Sequence, residues 1–452
     1  MAVIYPGHIK PPGRRNSLGL GWHGNGNGRR PSKPNRPPVI RQGRMLTDYF
    51  AQGDWKGHRC FVIGGGPSLK GFDWSRLDGE LAIGTNLAFL KCNPALLFSM
   101  DNRFLGWLQK RKYGQDVTDR FDNYTHGYKV WLDNARREYP PDMLTIGCIG
   151  SHTWSPSLEQ GIGSCGNSGY CALNLAVLLG ASPIYLLGFD SKGNGRGKQA
   201  WWHMGHPEVQ PERVYGKFDV GFSQHAAPGA RDAGAQVINL NTDSTYTCFE
   251  FGDIEDVEPI QRPVICAYAT ENTGYTHEAK ELNNSLRKWG LERDIQIVPN
   301  LGTWQANTQY KAIFMKGMLR KHAPKPVVYV DADARFRRYP ELFDNFAADF
   351  AAHWRKFDNN GNRRLLELLS GTLYFANTPR AYEIVDAWIA ENKRNPETWD
   401  QKTLGAVVQR LGDGVVDLPP EYCAIFDGNM TAEPVIEHMQ ASRRLKKEVN
   451  LK

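Results

Sequence analysis

The chain has 452 residues, 41% of them hydrophobic and 11% aromatic, and a formal net charge of +7. That is enough for two or three domains with sizeable cores. No apolar run approaches the roughly 20 residues a membrane-spanning helix needs, and the eight cysteines include no CxxC pair with zinc spacing.

The charge is unevenly placed. Residues 1–45 contain Lys10, Arg14, Arg15, Arg29, Arg30, Lys33, Arg36, Arg41 and Arg44 and no acid, which leaves the remainder at −2. This segment is rich in Pro, Gly, Arg and Asn and buries too little to offset its ordering entropy. A disordered arm is expected. Counterion release would draw such an arm to nucleic acid; a solubilising linker is the plainer reading. The start of the chain lacks the apolar core of a signal peptide, and scattered thiols fit a cytoplasmic protein.

Residues 46–262 read as a first α/β domain. The strand Arg59–Ile63 runs directly into Gly64, Gly65, Gly66, Pro67 and Ser68. Glycines at that place let backbone N–H groups approach a phosphate, although a tight strand-to-helix turn looks the same. Strands Leu81–Gly84 and Leu96–Met100 follow, ending in Thr85–Asn86 and Asp101–Asn102–Arg103. Up to residue 160 the pattern adds a helix at about 104–112 and a strand over Met143–Cys148. A second glycine-rich stretch, Gly161–Gly169, opens a helix over Tyr170–Leu179, with Asn167 or Ser168 as its cap. The free N–H groups of such a helix start make an anion site. After the strand Ile184–Leu187, His203 and His206 lie on a polar loop. A loop imidazole beside a nucleotide cleft suits a general base; a surface loop with tucked-in tryptophans is the alternative. Gln236–Leu240 closes the unit, and an acidic stretch before Pro263 marks the joint.

This succession of GGGPSL, a strand ending in Asn86, and GNSGYCALNLAVLLGASPIYLLGFD resembles the domain shared by bacterial sialyltransferases and the MptE-like pterin pyrophosphokinases, a group frequent in phage genomes. The resemblance implies that Gly64 to Ser68, Asn86, Asn167, Ser168 and Gly169 hold a nucleotide. It also implies a histidine base in the region of His203 and His206.

Residues 263–452 read as a second domain. The strand Val264–Ala269 ends at Thr270, Glu271 and Asn272, and a helix Glu278–Trp289, a strand Ile295–Val298, a loop Trp304–Tyr310 and a helix Lys311–Leu319 follow. Val327–Val330 is a strand with no polar break, and Asp331 and Asp333 stand at its end. Two carboxylates so close repel each other. A Mg²⁺ or Mn²⁺ ion bridging to a diphosphate would relieve that repulsion; a solvated turn is the bland reading. A surface helix is expected after the acid pair, in the stretch RRYPELFDNF. Then come a strand Phe350–Trp354, Ser370, Gly371 and Thr372 before a strand Leu373–Phe375, a helix Pro379–Glu391, and a helix opened by Trp399–Asp400–Gln401. His438 follows a short strand, and Arg443, Arg444 and Lys446 make a basic run.

The acid pair behind its hydrophobic strand, the Ser-Gly strand, the Asp-Gln helix start and the late histidine resemble the nucleotide-sugar glycosyltransferases of GT-A fold. The resemblance implies Asp331, Asp333 and His438 as metal ligands, and Thr270, Asn272, Tyr275, Lys311, Ser370 and Gly371 around the donor. It implies Asp400 as an acceptor-orienting group or base, and Arg443, Arg444 and Lys446 as neutralisers of the leaving diphosphate. The expected fold is α/β, two Rossmann-like domains with the C-terminal one GT-A, behind a basic arm. The expected activity moves a sugar from a nucleotide-diphosphate donor, a UDP-sugar foremost, to a hydroxyl with Mn²⁺ or Mg²⁺, beside a second nucleotide-binding module that would make the chain bifunctional. The arm and the phage-like relatives point to a hydroxymethylated DNA base as acceptor. Alternatives are a surface polysaccharide acceptor, or a non-catalytic, virion-associated protein that keeps the fold. No oligomeric state follows from the sequence.

Overall fold

A computed structural model describes residues 44–133, 138–191, 201–208, 213–358, 364–428 and 433–446. The first half contributes strands β1 (Arg44–Met45), β2 (Cys60–Ile63), β3 (Ala82–Thr85), β4 (Leu96–Ser99), β5 (Tyr128–Asp133), β6 (Met143–Ser151), β7 (Ile162–Ser164), β8 (Ile184–Leu187), β9 (Val237–Asn239) and β10 (Glu250–Phe251). Its helices are α1 (Asn102–Gln109), α2 (Gln115–Asp122), α3 (Ser168–Leu178), α4 (Arg213–Gly221) and α5 (Ala227–Asp232).

These strands form one sheet in the order β1-β6-β5-β4-β3-β2-β8-β9-β10, with β7 added to β6. Its pairings are parallel. The composition explains this: β2, β3 and β4 are buried at every position, as a sheet covered on both faces demands. The chain lays strands outward from β2 to β6, then returns to set β8 on the other side of β2. Ligands in open α/β sheets bind at the crevice such a reversal leaves. Helix α3 is apolar on every side and almost wholly buried. Asn167 starts it, its Oδ1 accepting from the Tyr170 N–H at 3.1 Å.

The second half contributes β11 (Val264–Thr270), β12 (Arg293–Val298), β13 (Val327–Val330), β14 (Ala334–Phe336), β15 (Phe350–Asp358), β16 (Arg364–Phe375), β17 (Val415–Asp417), β18 (Ala424–Ile425) and β19 (Ile436–His438). Its helices are α6 (Tyr275–Arg287), α7 (Trp304–Lys321), α8 (Pro379–Arg394), α9 (Asp400–Leu411) and α10 (Ser442–Leu445). Six strands make a mixed sheet, β12-β11-β13-β16-β15-β17, in which β11 pairs in parallel with β12 and β13 while β16 runs antiparallel to β13. The order reverses here too, between β11 and β13. A small sheet, β14-β19-β18, completes the half. Its register sets His438 opposite Ala334, beside the acid pair.

The α/β class read from the sequence holds, with Rossmann-like sheets. One apolar cluster runs through both halves, from Trp55, Val62 and Leu81 to Leu282, Trp289, Val328 and Phe336. Arg262 crosses the joint. It meets Glu80 at 3.0 Å and Asp344 at 3.2 Å and donates to the Gly79 carbonyl at 3.0 Å.

Several expectations change. The stretch around 105–160 also holds α2 and β5, the strand disguised by Lys129 and Asp133. Lys129 is nonetheless buried, its ammonium satisfied by the carbonyls of Phe121 at 3.0 Å and Asp122 at 3.2 Å. Among the described residues no helix follows the acid pair at 337–346. Pro340 leads into a single 3-10 turn, Glu341–Phe343, and the preceding residues pair with β19. Trp304–Tyr310 is not a loop but the first two turns of α7. Thr303 starts them, its Oγ accepting from the Ala306 N–H at 3.1 Å. The basic arm lies outside the described residues apart from 44 and 45. Among the described residues no helix is long and apolar enough to cross a membrane.

Candidate active site

The reversal between β11 and β13 opens into a cleft of about 240 Å³. Asp331 directly follows strand β13, the turn into β14 carries Asp333, and β19 ends in His438. One ligand atom from each lies within 4.8 Å of the others. Thr372 Oγ1 hydrogen-bonds His438 Nε2 at 2.9 Å and so fixes the ring. Nδ1 then faces Asp333 Oδ1 at 3.8 Å, too far for a hydrogen bond, and this buried atom has no hydrogen-bond partner among the described residues. Gly371 lets the ring in, since a Cβ there would lie 3.0 Å from His438 Cε1.

The electrostatics agree with a cation between these groups. Burial alone would lower the His438 imidazole, but the Asp333 carboxylate outweighs it and holds the ring up at about 10. The pocket thus favours positive charge beside the carboxylates, and a divalent cation bound there would displace the ring's proton at Nδ1. Burial pushes Asp333 up, and His438 with the Ala441 N–H, which donates to Oδ2 at 2.6 Å, brings it below its ordinary value. Two carboxylate oxygens and an unpartnered imidazole nitrogen fit Mn²⁺ or Mg²⁺.

Behind the acid pair sits Lys311 on α7. Its ammonium meets Asp331 Oδ1 at 3.0 Å and Asp400 Oδ2 at 2.8 Å and donates to the Ser370 carbonyl at 3.0 Å. Burial works against the charged lysine, but the two carboxylates raise its pKa more. Tyr329 Oη donates to Asp331 Oδ1 at 3.0 Å, and Ser370 Oγ to Asp400 Oδ2 at 2.8 Å. The cleft walls desolvate Asp331 and push its carboxyl up, although 40% of that side chain still faces the opening.

The cleft gathers most of the residues expected around a donor. Thr270, Tyr275, Lys311, Ser370, Gly371 and Asp400 line it. Asn272 does not; it is exposed, in a left-handed turn with φ 56°. The basic run is spread out. Arg443 pairs with Asp427, and Arg444 meets Glu278 at 2.9 Å. Lys446 lies over the Trp304 ring, 4.1 Å from its centre. Thr372, which holds His438, was not singled out in the sequence. It stands two residues after Ser370 on one strand face, and that alternation was the available signal. Asn307 and Trp304 were hidden by reading the start of α7 as a loop.

The reversal between β2 and β8 opens into a larger cavity of about 530 Å³. Gly64, Gly65, Gly66, Pro67, Asn86, Asn167, Ser168, Gly169, His203 and His206 line it, and Ser68 does not. The donors of the glycine loop are largely engaged. Gly64 N–H donates to the Leu187 carbonyl at 2.7 Å and Gly66 N–H to that of Gly188 at 2.9 Å. Ser68 gives its N–H and hydroxyl to Asp190 at 3.1 and 2.9 Å. This buried carboxylate also accepts from Asn241 at 2.8 Å. Asp190 therefore takes up donors that the sequence reading offered to a phosphate. A Cβ on Gly66 would fall 1.6 Å from its Oδ2, so glycine there makes room for the carboxylate.

The two histidines of this cavity differ. His203 Nδ1 accepts from the Gly205 N–H at 3.1 Å, so the neutral ring carries its proton on Nε2, where it can donate. His206 Nδ1 bonds to Tyr113 Oη at 2.7 Å. Burial, reinforced by His206, holds His203 down at about 3, and burial holds His206 at about 4. His126 is held at about 4 by burial beside Arg293. Unfolded imidazoles titrate near 6.5 and take up protons first. Stability from these rings is therefore complete above pH ~6.5 and is lost as pH falls from there toward ~4. The loss should be about 1 kcal/mol per pH unit for each ring, below the ~1.4 limit because the rings are partly exposed. Urea midpoints near pH 7, 6 and 5 check it. The wild type should lose stability more steeply than a double variant with His203→Asn and His206→Asn, and equal slopes would mean the rings are charged in the fold.

Residues 302–439 match the family model described as nucleotide-diphospho-sugar transferase. No curated protein matches the chain. Among solved structures, a glycosyltransferase involved in the glycosylation of the major capsid of PBCV-1 is similar at 15% identity, over 42% of this chain and 97% of that one, with a TM-score of 0.31. The MAf glycosyltransferase from Magnetospirillum magneticum AMB-1 is similar at 14% identity, over 48% of this chain and 37% of that one, with a TM-score of 0.35. An active-site mutant of LgtC is similar at 12% identity, over 38% of this chain and 86% of that one, with a TM-score of 0.25. The chain spans little more than a third of the MAf enzyme's length.

Proposed function

We propose that the C-terminal half, whose residues 302–439 match the nucleotide-diphospho-sugar transferase model, is a glycosyltransferase whose cleft moves a sugar from a UDP-sugar to an acceptor hydroxyl with a divalent metal. The observation that supports this reading is the meeting of Asp331, Asp333 and the unpartnered His438 Nδ1 within 4.8 Å at the foot of the cleft. Mn²⁺ or Mg²⁺ held there would serve as Lewis acid toward the leaving diphosphate. Thr372 orients His438, and Ala441 orients Asp333. Lys311 holds Asp331 and Asp400 in place, and Ser370 shares Asp400 Oδ2 with it. Asp400 is thereby a positioning group for the acceptor side and not a base with a free oxygen at that atom. Thr270 and Tyr275, at the end of β11 and the start of α6, flank the donor's nucleoside. The expectation of a DNA acceptor rests on the arm, outside the described residues apart from 44 and 45, and on the resemblance to a group frequent in phage genomes.

The larger N-terminal cavity favours a second nucleotide-type ligand, since it lies at the reversal of a parallel sheet. There His206, with Nδ1 on Tyr113, is the better base candidate, and His203 is a donor through Nε2.

A thermal-shift series with UDP-, GDP- and CMP-sugars, with and without Mn²⁺, tests the proposal. A ligand bound to the native state at about 100 times its Kd adds about 2.7 kcal/mol. The midpoint should rise with a nucleotide-diphosphate sugar when Mn²⁺ is present and far less without it. A midpoint that no donor moves in the presence of Mn²⁺ would refute it.

A further inference from the structure

Building on the transferase reading, we propose that the mouth of the C-terminal cleft is an acceptor site for an acidic saccharide, a sugar carrying a carboxylate or a phosphate ester. Two indoles meet there. Trp304 opens α7 and Trp399 immediately precedes α9; their ring centroids lie 6.3 Å apart with the planes tilted by 54°, and both line the cleft. Each carries an ammonium over its ring. Lys446 Nζ is 4.1 Å from the Trp304 ring centre and Lys402 Nζ is 4.4 Å from that of Trp399. Both lysines are exposed, and no carboxylate among the described residues pairs with either. The neighbouring arginines are committed, Arg443 to Asp427 and Arg444 to Glu278.

The chemistry of this pair points to one kind of ligand. A pyranose ring has an apolar face of C–H groups that packs on an aromatic plane, and clefts for such ligands combine aromatic walls with a few placed polar groups. An exposed ammonium held on a ring face is weakly bound there, and its flexible stem lets it swing to an anion. The mouth thus presents apolar area and mobile positive charge together. A neutral sugar would use the first and leave the second idle. A nucleic acid asks for more: one charge per nucleotide, answered by a row of cations along the strand. Two uncommitted ammoniums match one charged residue at the end of an acceptor. The polar net of Ser370, Asp400 and Lys311 lies in the same cleft, so a sugar seated on the indoles would present its hydroxyls toward the acid pair.

Donor cleavage and acceptor binding are tested separately on the full chain. Release of UDP from UDP-sugars with Mn²⁺ and no acceptor checks the transferase reading. Calorimetric titration with hexagalacturonate, glucose 6-phosphate and maltohexaose checks the mouth, with no turnover needed. At least one acidic probe should bind about tenfold or more tighter than maltohexaose, and which of the two does so tells carboxylate from phosphate ester. Lys402→Glu combined with Lys446→Glu, two exposed changes that leave the core intact, should abolish that preference. Trp399→Ala, with its thermal midpoint checked, should weaken all sugar probes about fivefold or more. Equal binding of acidic and neutral probes overturns the proposal, and so does a preference that survives the double charge reversal, whether or not UDP is released. Tighter binding of oligothymidylate than of either acidic sugar also overturns it and assigns the mouth to single-stranded nucleic acid. Acidic-sugar binding without UDP release would keep the mouth and remove the transferase reading.

Discussion

Replacing Asp333 by Asn is expected to cut metal-dependent sugar transfer by at least about 10³-fold, because a Lewis-acid contribution of several kcal/mol is lost and about 4 kcal/mol corresponds to that factor. The substitution keeps the shape of the side chain. An amide oxygen still accepts the Ala441 N–H that reaches Asp333 Oδ2 at 2.6 Å, so the fold should stand. The amide nitrogen would then turn toward His438 Nδ1, which in the wild type is buried and unpartnered. It would satisfy that atom and put a neutral group where the metal is proposed to sit. Two measurements belong together: the rate of UDP release, and the rise in thermal midpoint on adding Mn²⁺. Both should collapse in the variant while the midpoint without metal stays near that of the wild type. Retention of more than about a tenth of the activity, a loss under ~1.4 kcal/mol, would remove Asp333 from the metal set.

The second large effect is expected at Lys311. Its side chain is 4% exposed and that of Asp400 5%. Removing one partner of a buried ionic net leaves charge uncompensated and commonly costs about 3–5 kcal/mol. Lys311→Met, which keeps the length of the stem, should therefore lower the stability from urea unfolding by about that much. It leaves Asp400 with Ser370 Oγ alone at Oδ2 and Asp331 with Tyr329. Divalent metal should then recover more stability in the variant than it adds to the wild type, since a cation near Asp331 replaces part of the lost positive charge. A loss under about 1 kcal/mol would mean that the ammonium is not what holds the two carboxylates.

The sequence showed the acid pair because its strand is a plain apolar run and both carboxylates follow at the carboxyl end. It showed β2, β3, β4 and α3 for the same reason: local composition and period decide them. It could not show what brings His438 to the acids. The pairing of Ala334 with His438 depends on a contact far along the chain, and no local pattern encodes it. The glycine loop shows the same limit. Three glycines after a strand suggest a phosphate cradle, yet the carboxylate that takes the loop's donors sits 122 residues beyond Ser68. Lys129 misled in the other direction. A lysine in the middle of β5 hides a buried strand until the carbonyls of Phe121 and Asp122 are seen to accept from it. The late histidine was legible through family resemblance, whereas Thr372, Trp304 and Trp399 needed the three-dimensional arrangement.

The small β14-β19-β18 sheet has a consequence during synthesis. Ala441, which braces the acid pair just past the end of β19, follows Asp333 by 108 residues. At translation rates of about 5–20 residues per second that is a delay of about 5–20 s. Through that interval a nascent chain exposes the two carboxylates without the imidazole that completes their pocket. On the proposed reading, a metal ion would find its full ligand set only after the last strand has docked.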